Sequence, residues 1–309
     1  MMKLLIPLFL FFFSACTVNN ALIYAGDEKT VPKMKIKILD QTSLAYRDKN
    51  GLPFSEISDL SYDKKHEKLY MIGDKGYFYI FDAKFTYQID TLDYKKGYRI
   101  DEKKSHSRYD SEGLTQDNRG NLYLSFEGKP RISLITKKAQ LIKDLKLPKQ
   151  LENSKSYRSS NKMFEALAWH PKYGFLTATE YPLKGKKLQE QTIYALSGKV
   201  WNFKSEKHQN SAVTAIEVMD DGNLLILERA YAGLSKPFVI TLKKLYLEEC
   251  DKNRQCKTEV LASMNSSEGW GVNNFEGLTK VGKNRYLMVS DNNNNSMLRT
   301  VFVYFEVLK

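Results

Sequence analysis

The run Asn273-Asn274-Phe275-Glu276-Gly277-Leu278 is followed, thirteen residues beyond its leucine, by Asp291 in Val289-Ser290-Asp291-Asn292. A glutamate stands two places before an apolar anchor, and an acid closes the apolar run that follows. The same pattern recurs along the chain. Aligned on Leu60, Leu114, Leu167, Ile216 and Leu278, successive units lie 54, 53, 49 and 62 residues apart. An acid ends the second apolar run of each unit: Asp74, Glu127, Glu180, Glu228 and Asp291, at 14, 13, 13, 12 and 13 residues from the anchor. Between them lie turns such as Asp117-Asn118-Arg119-Gly120-Asn121 and strand-like runs such as Leu224-Leu225-Ile226-Leu227. No stretch keeps a 3.6-residue apolar period over three turns, so the chain reads as all-β. Units of about 50 residues, each with room for four short strands, predict a β-propeller.

Five units are legible. The last runs out after Thr300–Val307, and the alternating strand Met34-Lys35-Ile36-Lys37-Ile38-Leu39 would complete it, so that N- and C-terminal strands close one blade. The segments Asp93–Tyr109 and Lys149–Lys162 read as rim loops; taken as a degenerate blade they would make the count six.

The first sixteen residues read as a signal. Lys3 is followed by the apolar run Leu4–Phe13, which is too short to span a membrane, then by Ser14-Ala15-Cys16. Phe13-Ser14-Ala15-Cys16 resembles a bacterial lipoprotein signal, in which the cysteine becomes the lipidated first residue; cleavage near Ala25, leaving a soluble periplasmic chain, is the alternative. Residues 17–33 are expected to be a flexible tether and 34–309 the propeller. Of three cysteines, Cys16 is the odd one out. Cys250 and Cys256 flank a polar run and read as a disulfide formed in an oxidising compartment. Formal charge is +12 from 48 Lys+Arg against 36 Asp+Glu. No basic block interleaved with aromatics occurs, which argues against nucleic acid and leaves a lysine-rich solvated surface or attraction to anions.

The first two strands of a blade are antiparallel and joined by a tight turn, so the start of one and the end of the other share a sheet edge. Glu112, Glu165 and Glu276 open first strands, with Ser58 and Thr214 at the matching places in the other units. They should meet Asp74, Glu127, Glu180, Glu228 and Asp291 at one mouth of the central channel, with Asp110 beside Glu112. Crowded carboxylates need compensation. Hard cations such as Ca²⁺ take carboxylate and amide oxygens, so all nine acids are candidate metal ligands, with Asn274, Asn292 and Asn293 able to add amide oxygens. Arg158, Lys162, Arg229 and Asn274 are placed to hold an anionic substrate, and Glu112, Glu165 and Glu276 to act as bases. The alternative is a structural ring in which the acids only accept backbone N–H bonds between blades. No Gly-x-Ser-x-Gly elbow or phosphate-binding Gly-rich loop is present. The four histidines are scattered, and His170, before Pro171, reads as structural.

Asp110-Ser111-Glu112-Gly113-Leu114, Ser125-Phe126-Glu127-Gly128, Asn161-Lys162-Met163-Phe164-Glu165-Ala166-Leu167, Leu225-Ile226-Leu227-Glu228-Arg229 and Asn274-Phe275-Glu276-Gly277-Leu278 with Ser290-Asp291-Asn292 occur in order. Together they resemble the phytase-like, or "esterase-like activity of phytase", family of exported bacterial proteins, over roughly Phe54 to Val307. Ala166 departs from the pattern, where glycine is common. The resemblance implies a propeller and, more loosely, a hydrolase of ester or phosphate-ester bonds; the calcium assignment rests on the carboxylate placement. The expected protein is thus a monomer, lipid-anchored at Cys16 in the cell envelope and facing the periplasm or outer surface, acting on a small anionic ester. A non-catalytic propeller that binds a ligand or an envelope protein is the alternative.

Overall fold

Aspartate-led turns set the hairpins. In Asp117–Asn121 the Asp117 Oδ1 accepts from the Arg119 and Asn121 N–H groups, both at 2.9 Å. Gly120, at φ +77°, takes the left-handed place that an L side chain resists. Asp251 repeats the device, accepting from Asn253 and Gln255 N–H at 2.8 and 2.9 Å.

The computed structural model describes residues 22–24, 33–45, 48–49, 51–100, 110–233, 235–295 and 297–308. They form a five-bladed propeller of four-stranded antiparallel sheets. Blade 1 comprises Ile57–Asp63, Lys68–Gly73, Tyr77–Phe85 and Ile89–Arg99. Blade 2 comprises Ser111–Gln116, Leu122–Phe126, Arg131–Ile135 and Leu141–Asp144. Blade 3 comprises Phe164–His170, Gly174–Thr179, Glu190–Ala195 and Val200–Lys204. Blade 4 comprises Ser211–Val218, Leu224–Ala230, Val239–Cys250 and Cys256–Asn265. In blade 5, Asn274–Gly282, Arg285–Asp291 and Thr300–Val307 are completed by the N-terminal strand Ile36–Leu44. The termini therefore close one sheet, as expected.

The expectation for the two extra segments is corrected in part. Asp93–Arg99 belongs to the outermost strand of blade 1, while residues 101–109 lie outside the described residues. Residues 149–162 hold one helical turn, Lys149–Glu152, and a short 3-10 turn, Ser154–Ser156, and no strand. An unforeseen hairpin, Asp48–Lys49 with Leu52–Pro53, precedes blade 1. Part of the expected tether is docked: Ile23–Tyr24 pair antiparallel with Trp270–Gly271. The Tyr24 and Trp270 rings lie 5.1 Å apart and Leu22 is buried. The signal segment, Cys16 and most of residues 17–33 fall outside the described residues.

Strand alternation normally exposes one face, but here both faces of the inner strands are covered by neighbouring blades. The five anchors are all buried, and apolar clusters fill the blade interfaces: Leu227, Ile240, Phe275 and Met288 pack between blades 4 and 5. First strands contact those of adjacent blades all the way round, so the inner ring closes. Asp59 pins that ring, accepting Leu114 N–H at 2.8 Å from blade 2 and Leu278 N–H at 3.1 Å from blade 5. Gly277 leaves the room for it, since a Cβ there would lie 2.8 Å from the Asp59 Cα. Cys250 and Cys256 are disulfide-bonded across the far-end hairpin of blade 4. His170 is also at the far end: its Nδ1 accepts Lys172 N–H, so Nε2 donates to the Gly222 carbonyl at 2.9 Å.

Candidate functional site

Each first strand carries an extra, unpaired residue near its start. Ile57 faces Gly73 and Asp59 faces Ile72, so Ser58 is inserted. In the same way the register skips over Glu165, Thr214 and Glu276, and in blade 2 two residues, Glu112 and Gly113, stand opposite Ser125 alone. The residue two before the anchor is thus a β-bulge residue in every blade. Bulges re-aim side chains and recur beside functional sites; here they turn Ser58, Glu112, Glu165, Thr214 and Glu276 to the channel mouth. Hydroxyls at two of the five leave three glutamates.

A second ring comes from the ends of the second strands. Asp74, Glu127 and Glu180 donate their N–H to the Glu56, Asp110 and Met163 carbonyls at 2.9, 2.8 and 3.1 Å, and Asp291 stands opposite Asn274. Blade 4 departs. Its acid, Glu228, is twelve residues from the anchor instead of thirteen, and one step along a strand reverses the face. Glu228 opposes Val213 and turns away from the mouth, accepting from Lys243 at 3.0 Å, from Glu206 N–H at 2.9 Å and from the Ser211 hydroxyl at 3.4 Å. Its expected place in the ring is taken by Arg229. This cation donates to Asn274 Oδ1 at 2.6 Å, to the Glu276 carboxylate and, at 3.2 Å, to Glu180, tying blades 3 and 5 together. Lys162 pairs with the other oxygen of Glu180. Arg158 is not in the group: its guanidinium donates to the Pro182 and Lys186 carbonyls and holds the rim loop.

Two carboxylate triads result. In each of Asp74–Asp110–Glu112 and Glu127–Glu165–Glu180, one oxygen from every residue lies within 4.8 Å of the others. Eight of the nine expected acids therefore gather, against the cations Arg229 and Lys162 and, at the edge, Lys75 on Glu56. Burial makes charge costly there. It pushes Glu112 and Glu165 well above the ordinary carboxylate range, with neighbouring carboxylates adding to the effect. Burial and the adjacent Asp110 raise Asp74 to about 7. Burial likewise raises Glu127 to about 8, although the Met163 N–H opposes it, and raises Asp291 to about 7 with help from Glu276. Glu276 is also raised by burial while Arg229 pulls it down. Burial opposes the charge of Arg229, yet Glu276, Glu165 and Glu180 hold it firmly protonated.

The donor set fits a hard cation. Every ligand atom in the two triads is a carboxylate oxygen, with no histidine or cysteine among them, which suits Ca²⁺ and not a soft transition metal. A divalent ion would offset the burial and mutual repulsion that raise Asp74, Glu112, Glu127 and Glu165. Beside the triads, between blades 3, 4 and 5, opens a cavity of about 560 Å³. Lys162, Arg229 and Asp291 form its polar wall with Asn273, Asn274 and Asn293, while Tyr181, Tyr231, Phe238, Val272 and Leu298 supply apolar surface. A mixed polar and apolar concavity of this size is what a small-molecule site requires. Sequence reasoning missed this apolar wall, whose residues come from loops without a repeat.

A family model described as phytase-like, esterase-like activity of phytase, matches residues 52–294. No curated protein matches the chain. Among solved structures, the PQQ-bound aldose sugar dehydrogenase of Streptomyces coelicolor is 11% identical with a TM-score of 0.47, covering 89% of this chain and 98% of that one. A protein of unknown function from Bacteroides thetaiotaomicron is 14% identical with a TM-score of 0.48, covering 82% of this chain and 60% of that one. A luciferin-regenerating enzyme is 10% identical with a TM-score of 0.42, covering 82% and 92%.

Proposed function

The chain belongs to the phytase-like family, esterase-like activity of phytase, and on that premise we propose that it is an exported, calcium-dependent hydrolase of phosphate esters. The observation that carries this reading is the pair of carboxylate triads beside a cavity walled by Arg229 and Lys162. Asp74, Asp110 and Glu112, and likewise Glu127, Glu165 and Glu180, would hold the cation. When bound, it supplies positive charge that offsets the acids and polarises the ester.

The chain's own residues do the rest. Without a cation, a phosphate dianion would face eight carboxyl groups, so ester binding should follow metal binding. Arg229 and Lys162, fixed by Glu276 and Glu180, hold the phosphate oxygens. Asp291 lines the cavity and is raised to about 7, which suits a general base at neutral pH. It takes the proton of the attacking water as the new bond from oxygen to phosphorus forms. The bond from phosphorus to the alcohol oxygen breaks, and the alcohol takes a proton from solvent. Glu276 thus serves to position Arg229, and Glu112 and Glu165 serve as ligands. The disulfide at Cys250–Cys256 supports an oxidising, exported setting, and the signal with Cys16 supports attachment to the cell envelope.

Calcium should raise the thermal midpoint and turnover of p-nitrophenyl phosphate, and chelator should remove both. Glu112→Gln and Glu165→Gln should abolish the thermal gain, and Asp291→Asn should cut turnover roughly 10²-fold or more while keeping that gain. Unchanged turnover in all three would leave a non-catalytic binding propeller in its place.

A further inference from the structure

The mouth of the channel carries three features that ester hydrolysis in solution does not use. The first is where the N-terminal segment enters. The loop 266–273 joins blade 4 to blade 5 on the mouth side, and Ile23 pairs with its Gly271. That register sets Leu22 beside Val272, a wall residue of the cavity. Cys16 stands six residues before Leu22 and so lies within about 21 Å of it even with the chain fully extended. A lipid carried on Cys16 would hold the mouth, not the far end, against the membrane.

The second feature is an exposed apolar lip. Met297 is 78% exposed and Tyr231 49%, with Leu298 and Leu188 also in the open. All four stand on loops that leave second strands at the mouth. The third is a collar of exposed lysines on mouth-side loops, Lys129, Lys184, Lys187, Lys207 and Lys236. Acids in the ring, with exposed apolar side chains and lysines on the loops around it, match a cation site, an acyl boundary and an anionic surface.

We propose that the mouth docks on an anionic lipid surface and that the cavity takes the phosphate of a lipid headgroup exposed there. The choice of a phosphate headgroup rests on the hydrolytic reading above; the docking does not. Lysine attraction orients the mouth, Met297 and Leu188 enter the headgroup boundary, and Arg229 and Lys162 receive the phosphate. Tyr231, Phe238 and Leu298 then face the lipid's apolar part.

Flotation with vesicles tests the docking, using the full chain with Cys16→Ser so that no acyl group contributes. With calcium present, the protein should float with phosphatidylcholine vesicles containing phosphatidate and not with phosphatidylcholine alone. Lys184→Gln, Lys207→Gln and Lys236→Gln together should weaken partition roughly 100-fold, about fivefold for each lysine. Met297→Ser with Leu188→Ser should weaken it further, while Tyr87→Ser, at the opposite end of blade 1, should change nothing. None of these variants should alter turnover of p-nitrophenyl phosphate. Equal flotation with both vesicles, a loss from Tyr87→Ser, or no loss from the lysine variant overturns the docking. Full displacement by inorganic phosphate would mean a free phosphate ligand and overturns it too. Flotation as expected without ester turnover refutes the hydrolytic reading alone; turnover without flotation refutes the docking alone.

Discussion

Replacing Arg229 by methionine keeps the aliphatic bulk and removes the charge that joins blades 3 and 5. Three acceptors lose their partner: Asn274 Oδ1, Glu276 and Glu180. Lys162 still holds Glu180, so Glu276 bears most of the loss. Removing one partner of a buried ion pair costs about 3–5 kcal/mol. At roughly 2–3 °C per kcal/mol for a domain of this size, the thermal midpoint should fall by about 6–15 °C in chelator. The loss must depend on pH. Glu276 is already raised by burial, and Arg229 is what pulls it down. Without Arg229 its folded-state pKa climbs further. A carboxyl raised in the folded state loses stability as pH rises from its unfolded value to its folded one. The deficit should therefore be smaller at the acid end of a pH series, where Glu276 takes up its proton, and larger at the alkaline end. Glu276→Gln in the Arg229→Met background should recover about 2 kcal/mol or more at the higher pH, which a double-mutant cycle reads directly. Midpoints that fall equally at both ends of the series, or strictly additive losses, would refute the assignment of Arg229 to the acid ring.

Three further outcomes follow from the same geometry. Glu228→Gln leaves the fully buried Lys243 with Glu206 and the Lys204 carbonyl; it should cost about 3 kcal/mol in urea unfolding without changing the stabilisation by calcium, because Glu228 faces away from the triads. Asp59→Asn leaves one oxygen for two N–H donors, so it should cost about 2 kcal/mol and raise hydrogen exchange at the Leu114 and Leu278 amides, while the calcium response stays. Calcium binding should release protons, since Asp74 is raised to about 7 and Glu127 to about 8. Calorimetry in two buffers of different ionisation enthalpy should find more protons released near about pH 6.5 than near pH 9, with affinity rising between them, and stability in chelator falling as pH climbs from about 4 to 8; the opposite slope would exclude these acids as the ligands.

The repeat was legible because propeller blades are built from local hairpins, whose turns and anchors recur at a fixed spacing. Blade closure by Ile36–Leu44 was legible for the same reason, as one unit lacked its fourth strand. What the spacing concealed was orientation. Twelve residues against thirteen looks like noise in an alignment of anchors, yet on a strand it decides which side of the sheet a side chain faces. Glu228 thereby leaves the mouth for Lys243, and Arg229 takes its place as a cation among the acids. The bulges were equally hidden, because an inserted residue shows only in the pairing register. They explain why Glu112, Glu165 and Glu276, although within inner strands, reach the mouth. Arg158 shows the limit of reading charge by proximity in sequence: its loop lies at the rim, but backbone carbonyls claim the guanidinium. A ring made only of acids would be a metal cage and nothing more. With Arg229 in it, the cation opposes the acids on one side only, toward the cavity between blades 3 and 5. That asymmetry is what would let one mouth hold a calcium ion and an anionic ester side by side.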